Sequence, residues 1–253
     1  MNILLTNDDG IESQGILKLA EALRSRDKDT VNILAPDSDR SAISHGFSLL
    51  KNPLRLVKKT DDTWTCSGTP VDCVILAVLG ALPCKPDVII SGINHGPNIG
   101  TDIIYSGTAA AARQGALMGI PSIAVSLDGR EKYNWAMAAK CFSDHLDEFI
   151  NIWKDDIFVN VNIPNSEEGP DGVAVTWPAR NKYNDTLSNI KHGNKDWFLL
   201  DWGNETFEDH KGTDRDAVSN NKISISPVYI HPVVRMDLCP DAQDYAAVGK
   251  RGG

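Results

Sequence analysis

The sequence predicts an α/β fold, a Rossmann-like three-layer parallel sheet with an antiparallel extension at its C-terminal end. Up to about residue 130, short β-branched runs alternate with amphipathic helical stretches, as in a parallel sheet covered by helices on both faces. Polar clusters follow three of the strand runs, where open parallel sheets bind their ligands. Beyond Pro164 the chain turns to Asn, Asp, Lys and Gly, with strand runs standing apart from one another.

The elements follow in order. Residues 2–6 are an apolar strand. After the NDDG turn, Ile16, Leu19, Ala20 and Leu23 recur at helical spacing and predict a helix over 13–25. Residues 30–35 form the second strand, ended by Pro36. Short strands at 47–50, 54–57 and 63–66 suggest an insertion or edge hairpin. A helix over 70–82 carries Pro70 in its first turn. Residues 88–91 form a strand whose exit, SGINHGPNIG, is too rich in Gly, Pro and Asn for a regular element. A helix over 106–118, a strand over 122–127, a long amphipathic helix over 133–153 and a strand over 158–162 complete a core of residues 1–165. In residues 166–253 we expect strands at 173–177, 197–201 and 223–228, with 241–253 mobile. Strand edges uncovered by their own chain invite pairing with a second copy, so the extension is expected to serve oligomerisation.

Composition excludes several classes. The formal net charge is −9, against the basic stripe that a nucleic-acid duplex requires. The longest apolar stretch, residues 73–82, is too short to span a bilayer, and the N-terminus turns acidic before a secretory core could form. Five cysteines are scattered without a CxxC pair and read as buried thiols of a reducing compartment. These features point to a cytoplasmic protein. Neither GxGxxG nor GxxxxGK[ST] occurs, so no dinucleotide or P-loop site is indicated.

The candidate chemistry lies in the clusters after the strands. Asp8 and Asp9 can face one divalent cation if Gly10 bends the chain, since two close carboxylates repel unless a proton or metal lies between them. They can equally cap the helix that follows. Asn94 and Asn98 bracket Gly96-Pro97, either as plain turn residues or as a carbonyl ligand and an amide donor. Ser106-Gly107-Thr108 opens a helix, either as an anion site or as an ordinary Ser cap. His45 and His95 flank these clusters and are candidate general acids or plain hydrogen-bonded loop histidines. No histidine spacing suggests zinc.

With these residues in view, the chain resembles the SurE family of survival-protein nucleotidases. The resemblance rests on MNILLTNDDGIESQGI, APDSDRSAISHG, SGTPVDCV, DVIISGINHGPNIG, YSGTAAAARQGALMGIPSIAVS and GTDRDAVSNNKISISPV, in that order along the chain. It implies one divalent cation per subunit, Mg²⁺ or Mn²⁺ with Ca²⁺ as a further option, held by Asp8, Asp9, Ser41 and Asn94. It also implies a phosphate cradle of Asn98, Ser106, Gly107 and Thr108. The implied reaction is hydrolysis of nucleoside monophosphates to nucleoside and phosphate, extending to 3′-nucleotides and short polyphosphate, by a homodimer or homotetramer. Asp8 and Asp9 would be its catalytic residues, as water-activating groups or with one of them as a covalent nucleophile. Thr176-Trp177-Pro178-Ala179-Arg180 and Asn220-Asn221 depart from the family pattern. The alternative is a phosphoacceptor signalling module with a receiver-like Asp-Asp magnesium site, which would also need an Asp after its third strand and a Lys after its fifth.

Overall fold

The computed structural model describes residues 1–50, 52–129, 132–201, 203, 206–207 and 210–233. Strand alternation sets the layering from the first element onward. In β1 (Asn2–Thr6), Ile3 and Leu5 point into one core and Leu4 into the other, as a period of two dictates for a strand buried on both faces. α1 (Gln14–Arg24) lays Ile16, Leu19, Ala20 and Leu23 on the first core. β2 (Thr30–Pro36) returns parallel to β1.

β3 (Leu56–Thr60) and β4 (Thr63–Cys66) form an antiparallel edge hairpin, with β4 parallel to β2. The strand expected at 47–50 does not form. The amides of Ser48 and Leu49 donate to the buried carboxylate of Asp72 instead, so these donors are not free for a sheet ladder. Asp72 also completes a capping box with Thr69 at the start of α2 (Pro70–Leu76). The expected helix over 70–82 is cut short, passing at Ala77–Ala81 into a wide turn in which Gly80 takes φ 101°.

β5 (Val88–His95) is longer than expected. It continues through SGINH and pairs with β6 (Ser122–Asp128) on both sides of a register shift between Ser91 and Asn94. A short 3-10 helix at Gly100–Ile104 leads to α3 (Gly107–Leu117), whose Ala109, Ala110, Ala111 and Ala112 are fully buried. α4 (Trp135–Ile152) and β7 (Ile157–Pro164) follow. α1 and α4 cover one face of the sheet, with Phe142, Leu146 and Phe149 in the shared core. α2 and α3 cover the other. Truncating one of these buried phenylalanines to Ala would cost roughly 3–5 kcal/mol.

The last third holds β8 (Val173–Val175), β9 (Asn181–Lys182), β10 (Thr186–His192), β11 (Lys195–Asp201), β12 (Thr206–Phe207), α5 (Asp214–Ser219) and β13 (Ile223–Tyr229). The short helix α5 was not foreseen. The main sheet has the order β3-β4-β2-β1-β5-β6-β7-β13-β8 and thus runs on across residue 165. β13 is antiparallel to β7 and parallel to β8. β10 and β11 form a separate antiparallel hairpin with every residue exposed. Asn221 takes φ 53°, a left-handed conformation that Asn tolerates better than most residues.

Not all the cysteines are buried as expected. Cys66 and Cys73 are, Cys141 is half-buried and Cys84 is exposed, because Cys84 lies in the connection before β5 rather than in an element. Cys239 and the expected mobile tail lie outside the described residues. Among the described residues no helix is long and apolar enough to cross a membrane.

Candidate metal and phosphate site

Neither Asp8 nor Asp9 caps α1. The cap position is Ser13, and the first turn contains no acid. Gly10 takes φ 93°, and the Asn7 amide donates to the Gly10 carbonyl at 2.9 Å and to Ser13 Oγ at 2.8 Å, which fixes the bend of NDDG. Asp8 is thereby directed across the sheet to the start of α3. There the Thr108 hydroxyl donates to Asp8 Oδ1, and the main-chain amides of Gly107 and Thr108 also donate to its carboxylate. The approach requires glycine at 107, because a Cβ there would lie 2.8 Å from Asp8 Cβ and Oδ2.

Burial governs the charge of the pair. Asp8 is 4% exposed, and desolvation holds its carboxyl above the ordinary value despite the donors around it. Asp9 is pushed up to about 7, chiefly by burial and then by the charge of Asp8, with Asp39 adding to the effect. The His95 amide, 3.2 Å from Asp9 Oδ2, acts in the other direction. No cationic side chain is among the influences on either carboxyl. Two adjacent carboxylates without a counter-ion, each raising the cost of ionising the other, fit a divalent cation.

Of the two neutral donors, Asn94 meets Thr108 beside Asp8, whereas the Ser41 hydroxyl is turned to Asp39. Asn94 Oδ1 lies 3.2 Å from Thr108 Oγ1, and its amide is turned away to the Gly96 carbonyl at 2.9 Å, which leaves the carbonyl oxygen on the Asp8 side. Ser41 is exposed, and its hydroxyl donates to Asp39 Oδ1 at 2.6 Å. Its loop is tied to the site through the Arg40 amide, which donates to the Asp8 carbonyl at 2.7 Å. Among the described residues no group of three His, Cys, Asp or Glu side chains is placed to hold a metal. An all-oxygen set of two carboxylates, an amide and a hydroxyl suits Mg²⁺, Mn²⁺ or Ca²⁺ rather than zinc.

The four residues expected at a phosphate differ in their surroundings. Ser106 Oγ accepts from the Ala109 amide as the cap of α3. The Thr108 hydroxyl is turned toward Asp8 and Asn94, on the carboxylate side of the cluster. Asn98 is buried and donates to Ser126 Oγ at 2.9 Å. Its main chain is held by Asn160 and Asn162, whose amides donate to its carbonyl, while its own amide donates to Asn162 Oδ1 at 2.8 Å. Sequence reasoning missed Ser126, Asn160, Asn162 and Asp214. The signal for the asparagines was two amides at positions i and i+2 of an otherwise apolar strand. Asp214 is fully buried and accepts from the amides of Gly100 and Ala179, both at 2.8 Å, so the C-terminal third braces the loop that follows Asn98.

Of the two candidate histidines, His45 pairs through Nε2 with Gln114 Oε1 at 3.0 Å and is held below its usual range by burial. His95 stands beside Asp9, with its ring 4.2 Å from that of Tyr133. β5 ends at Asn94 and His95 and β6 at Asp128, not at the aspartate and lysine of a receiver-like site.

The chain is similar to known proteins along most of its length. The family model described as Survival protein SurE matches residues 3–185. A protein named 5′-nucleotidase SurE from Pelobacter propionicus is 37% identical over 234 residues, covering 91% of this chain and 94% of its own. One of the same name from Thermoanaerobacter sp. is 41% identical over 243 residues, covering 90% and 92%. The crystal structure of the SurE protein from Aquifex aeolicus aligns with a TM-score of 0.83 at 35% identity, covering 97% of this chain and 100% of that one. With the match spanning most of the chain, this protein belongs to the SurE family.

Proposed function

We propose that the chain is a metal-dependent 5′-nucleotidase that hydrolyses nucleoside monophosphates to nucleoside and phosphate, with 3′-nucleotides and short polyphosphate within its range. The observation that carries this reading is the uncompensated pair Asp8 and Asp9 beside the first turn of α3. The names of the relatives point the same way. Asp8, Asp9, Ser41 and Asn94 would hold the cation, Mg²⁺ or Mn²⁺ before Ca²⁺. When bound, such an ion polarises phosphoryl oxygens and lowers the pKa of water.

The chain's own groups do the rest. Thr108 orients Asp8 through its hydroxyl. Ser106 and Asn98, with the Gly107 and Thr108 amides that face Asp8, would stabilise charge on the phosphoryl oxygens, a contribution that often dominates catalysis. Asp9 is the more open of the two carboxylates and would steer the attacking water. Deep burial of Asp8 with its oxygen already accepting from Thr108 favours water over an aspartyl nucleophile.

In this reading residues 1–165 carry the reaction, and the β10–β11 hairpin within 166–253 serves assembly of a homodimer or homotetramer in the cytoplasm. Leu187, Ile190, Trp197, Phe198, Leu199 and Leu200 are all about half exposed or more on β10 and β11, which supports burial against another copy. The test is phosphate release from a panel of monophosphates with chelator, Mg²⁺ or Mn²⁺. Turnover of 5′-nucleotides that disappears in chelator is expected. Metal-independent turnover, or none with any ion, would sink the proposal.

A further inference from the structure

Three rings cluster beside Asp9, with His95 tilted 56° to Tyr133 and its centroid 6.0 Å from that of Trp135. The His95 ring centroid lies 4.2 Å from that of Tyr133, and Tyr133 stacks on Trp135 at 5.0 Å with an interplanar angle of 13°. Behind them Trp135 packs on α1, where a Cβ built on Gly15 would come within 3.2 Å of its ring. The polar end of Tyr133 is engaged by the chain itself, its hydroxyl donating to the Gly129 carbonyl at 2.6 Å. At the outer end His95 is exposed, although its own amide donates to Asp9. The cluster therefore rests on a packed helix and reaches the solvent rim of the cation site through His95. Tyr133 also lies near enough to Asp9 to feel its charge.

We propose that His95, backed by Tyr133 and Trp135, is the shelf on which the nucleobase of the substrate stacks, while its phosphate lies at the cation site of Asp8 and Asp9. This inference rests on the nucleotidase reading above and adds the group that would favour a nucleotide over a sugar phosphate. Every base presents a π-face, so the shelf would favour nucleotides without strict choice among bases. Tyr133 and Trp135 act as positioning residues, since each is covered by a neighbouring ring. The rival surface is Tyr105, which precedes Ser106, is 54% exposed and meets Tyr183 edge-on at 6.3 Å. Among the described residues it meets one ring, edge-on, where His95 packs against two, and its carbonyl carries the Ser44 loop.

The experiment uses the full chain with Mn²⁺ or Mg²⁺ and compares AMP with ribose 5-phosphate, which keeps the phosphate and sugar and lacks the base. The readout is the ratio of the two kcat/KM values in the parent, His95→Ala, His95→Phe, Trp135→Ala and Tyr105→Ala. His95→Ala should lower the ratio about tenfold, mainly through KM for AMP, as expected for loss of one base-stacking ring. His95→Phe should restore most of it. Trp135→Ala should lower it by less. Ligand-observed NMR of adenosine in chelator should show binding to the parent and to His95→Phe and a loss in His95→Ala. A ratio unchanged in His95→Ala, or lowered only in Tyr105→Ala, overturns the shelf. Equal losses on both substrates without rescue by Phe also overturn it, because that pattern belongs to proton transfer. A parent that favours AMP no more than ribose 5-phosphate overturns the shelf but leaves the phosphatase standing, whereas one that hydrolyses neither overturns both readings.

Discussion

The hydroxyl of Thr108 donates to the carboxylate of Asp8 across a hundred residues of chain. This joins the turn after the first strand to the first turn of α3, and it gives Thr108 a different role from its neighbour Ser106. Thr108→Val, which keeps the shape and removes the donor, should leave Asp8 less well oriented and harder to ionise. We expect weaker cation binding together with a rate loss on the order of 100-fold. Calorimetric titration with Mn²⁺ checks the first effect, and normal metal affinity with lost turnover would return Thr108 to the phosphate side.

Asp9→Asn keeps the shape while removing one charge from the pair. Cation affinity should fall at least about tenfold, because a hard divalent ion depends on ligand charge. In chelator the variant should melt no lower than the parent, since Asp9 caps no helix and Asp8 loses a like charge beside it. Melting curves in chelator and a Mn²⁺ titration measure both. Unchanged affinity and turnover would overturn the site.

The raised carboxyl of Asp9 gives a signed dependence on pH. Its folded value is about 7 against an ordinary 3.8, so between these the folded state binds the proton more tightly than the unfolded state. Its contribution to metal-free stability is therefore full below 3.8 and lost as pH rises through about 7. The melting temperature of Asp9→Asn relative to the parent, both in chelator, should accordingly climb from pH 4 to pH 8. Cation affinity of the parent should strengthen over the same upper range, because the ion displaces a proton. A flat difference in melting temperature would contradict the raised carboxyl.

Gly107→Ala introduces a methyl group 2.8 Å from Asp8 Cβ and Oδ2. Overpacking of this kind costs about 1–3 kcal/mol. It should also move Asp8 away from its donors and lower turnover more than stability alone would. Denaturant melts and AMP hydrolysis measured at a temperature where both proteins are folded separate the two effects.

For the β10–β11 hairpin, Trp197→Asp combined with Leu199→Asp should convert an oligomer into a 27.6 kDa monomer without altering the fold of the main sheet. Light scattering and circular dichroism provide the check. A parent that is already monomeric at micromolar concentration would remove the assembly proposal.

Local pattern made much of the fold legible in the sequence. Helical spacing of Ile16, Leu19, Ala20 and Leu23 gave α1 to within a residue or so at each end, and the β-branched runs gave the parallel strands. The polar clusters after β1, β2 and β5 were visible because polar residues directly after an apolar strand have few local reasons to be there. Where local pattern failed, a distant partner intervened. The amides of Ser48 and Leu49 found Asp72, and Asn94 and His95 were drawn onto β5 by pairing with Ser126 and Leu127 on β6.

The sequence alone therefore determined which residue types stand at the ends of which strands, since hydrophobic period and turn chemistry act over a few residues. Only the tertiary structure decided what those residues face. Asp8 and Asp9 read equally as helix caps or as cation ligands until the bend at Gly10 carried Asp8 to α3 and away from α1. Asp214 read as part of an extension until its carboxylate reached the amides of Gly100 and Ala179. The physical reason is the same in both cases: a buried polar group must find its partner wherever packing places one, and sequence distance does not enter that requirement.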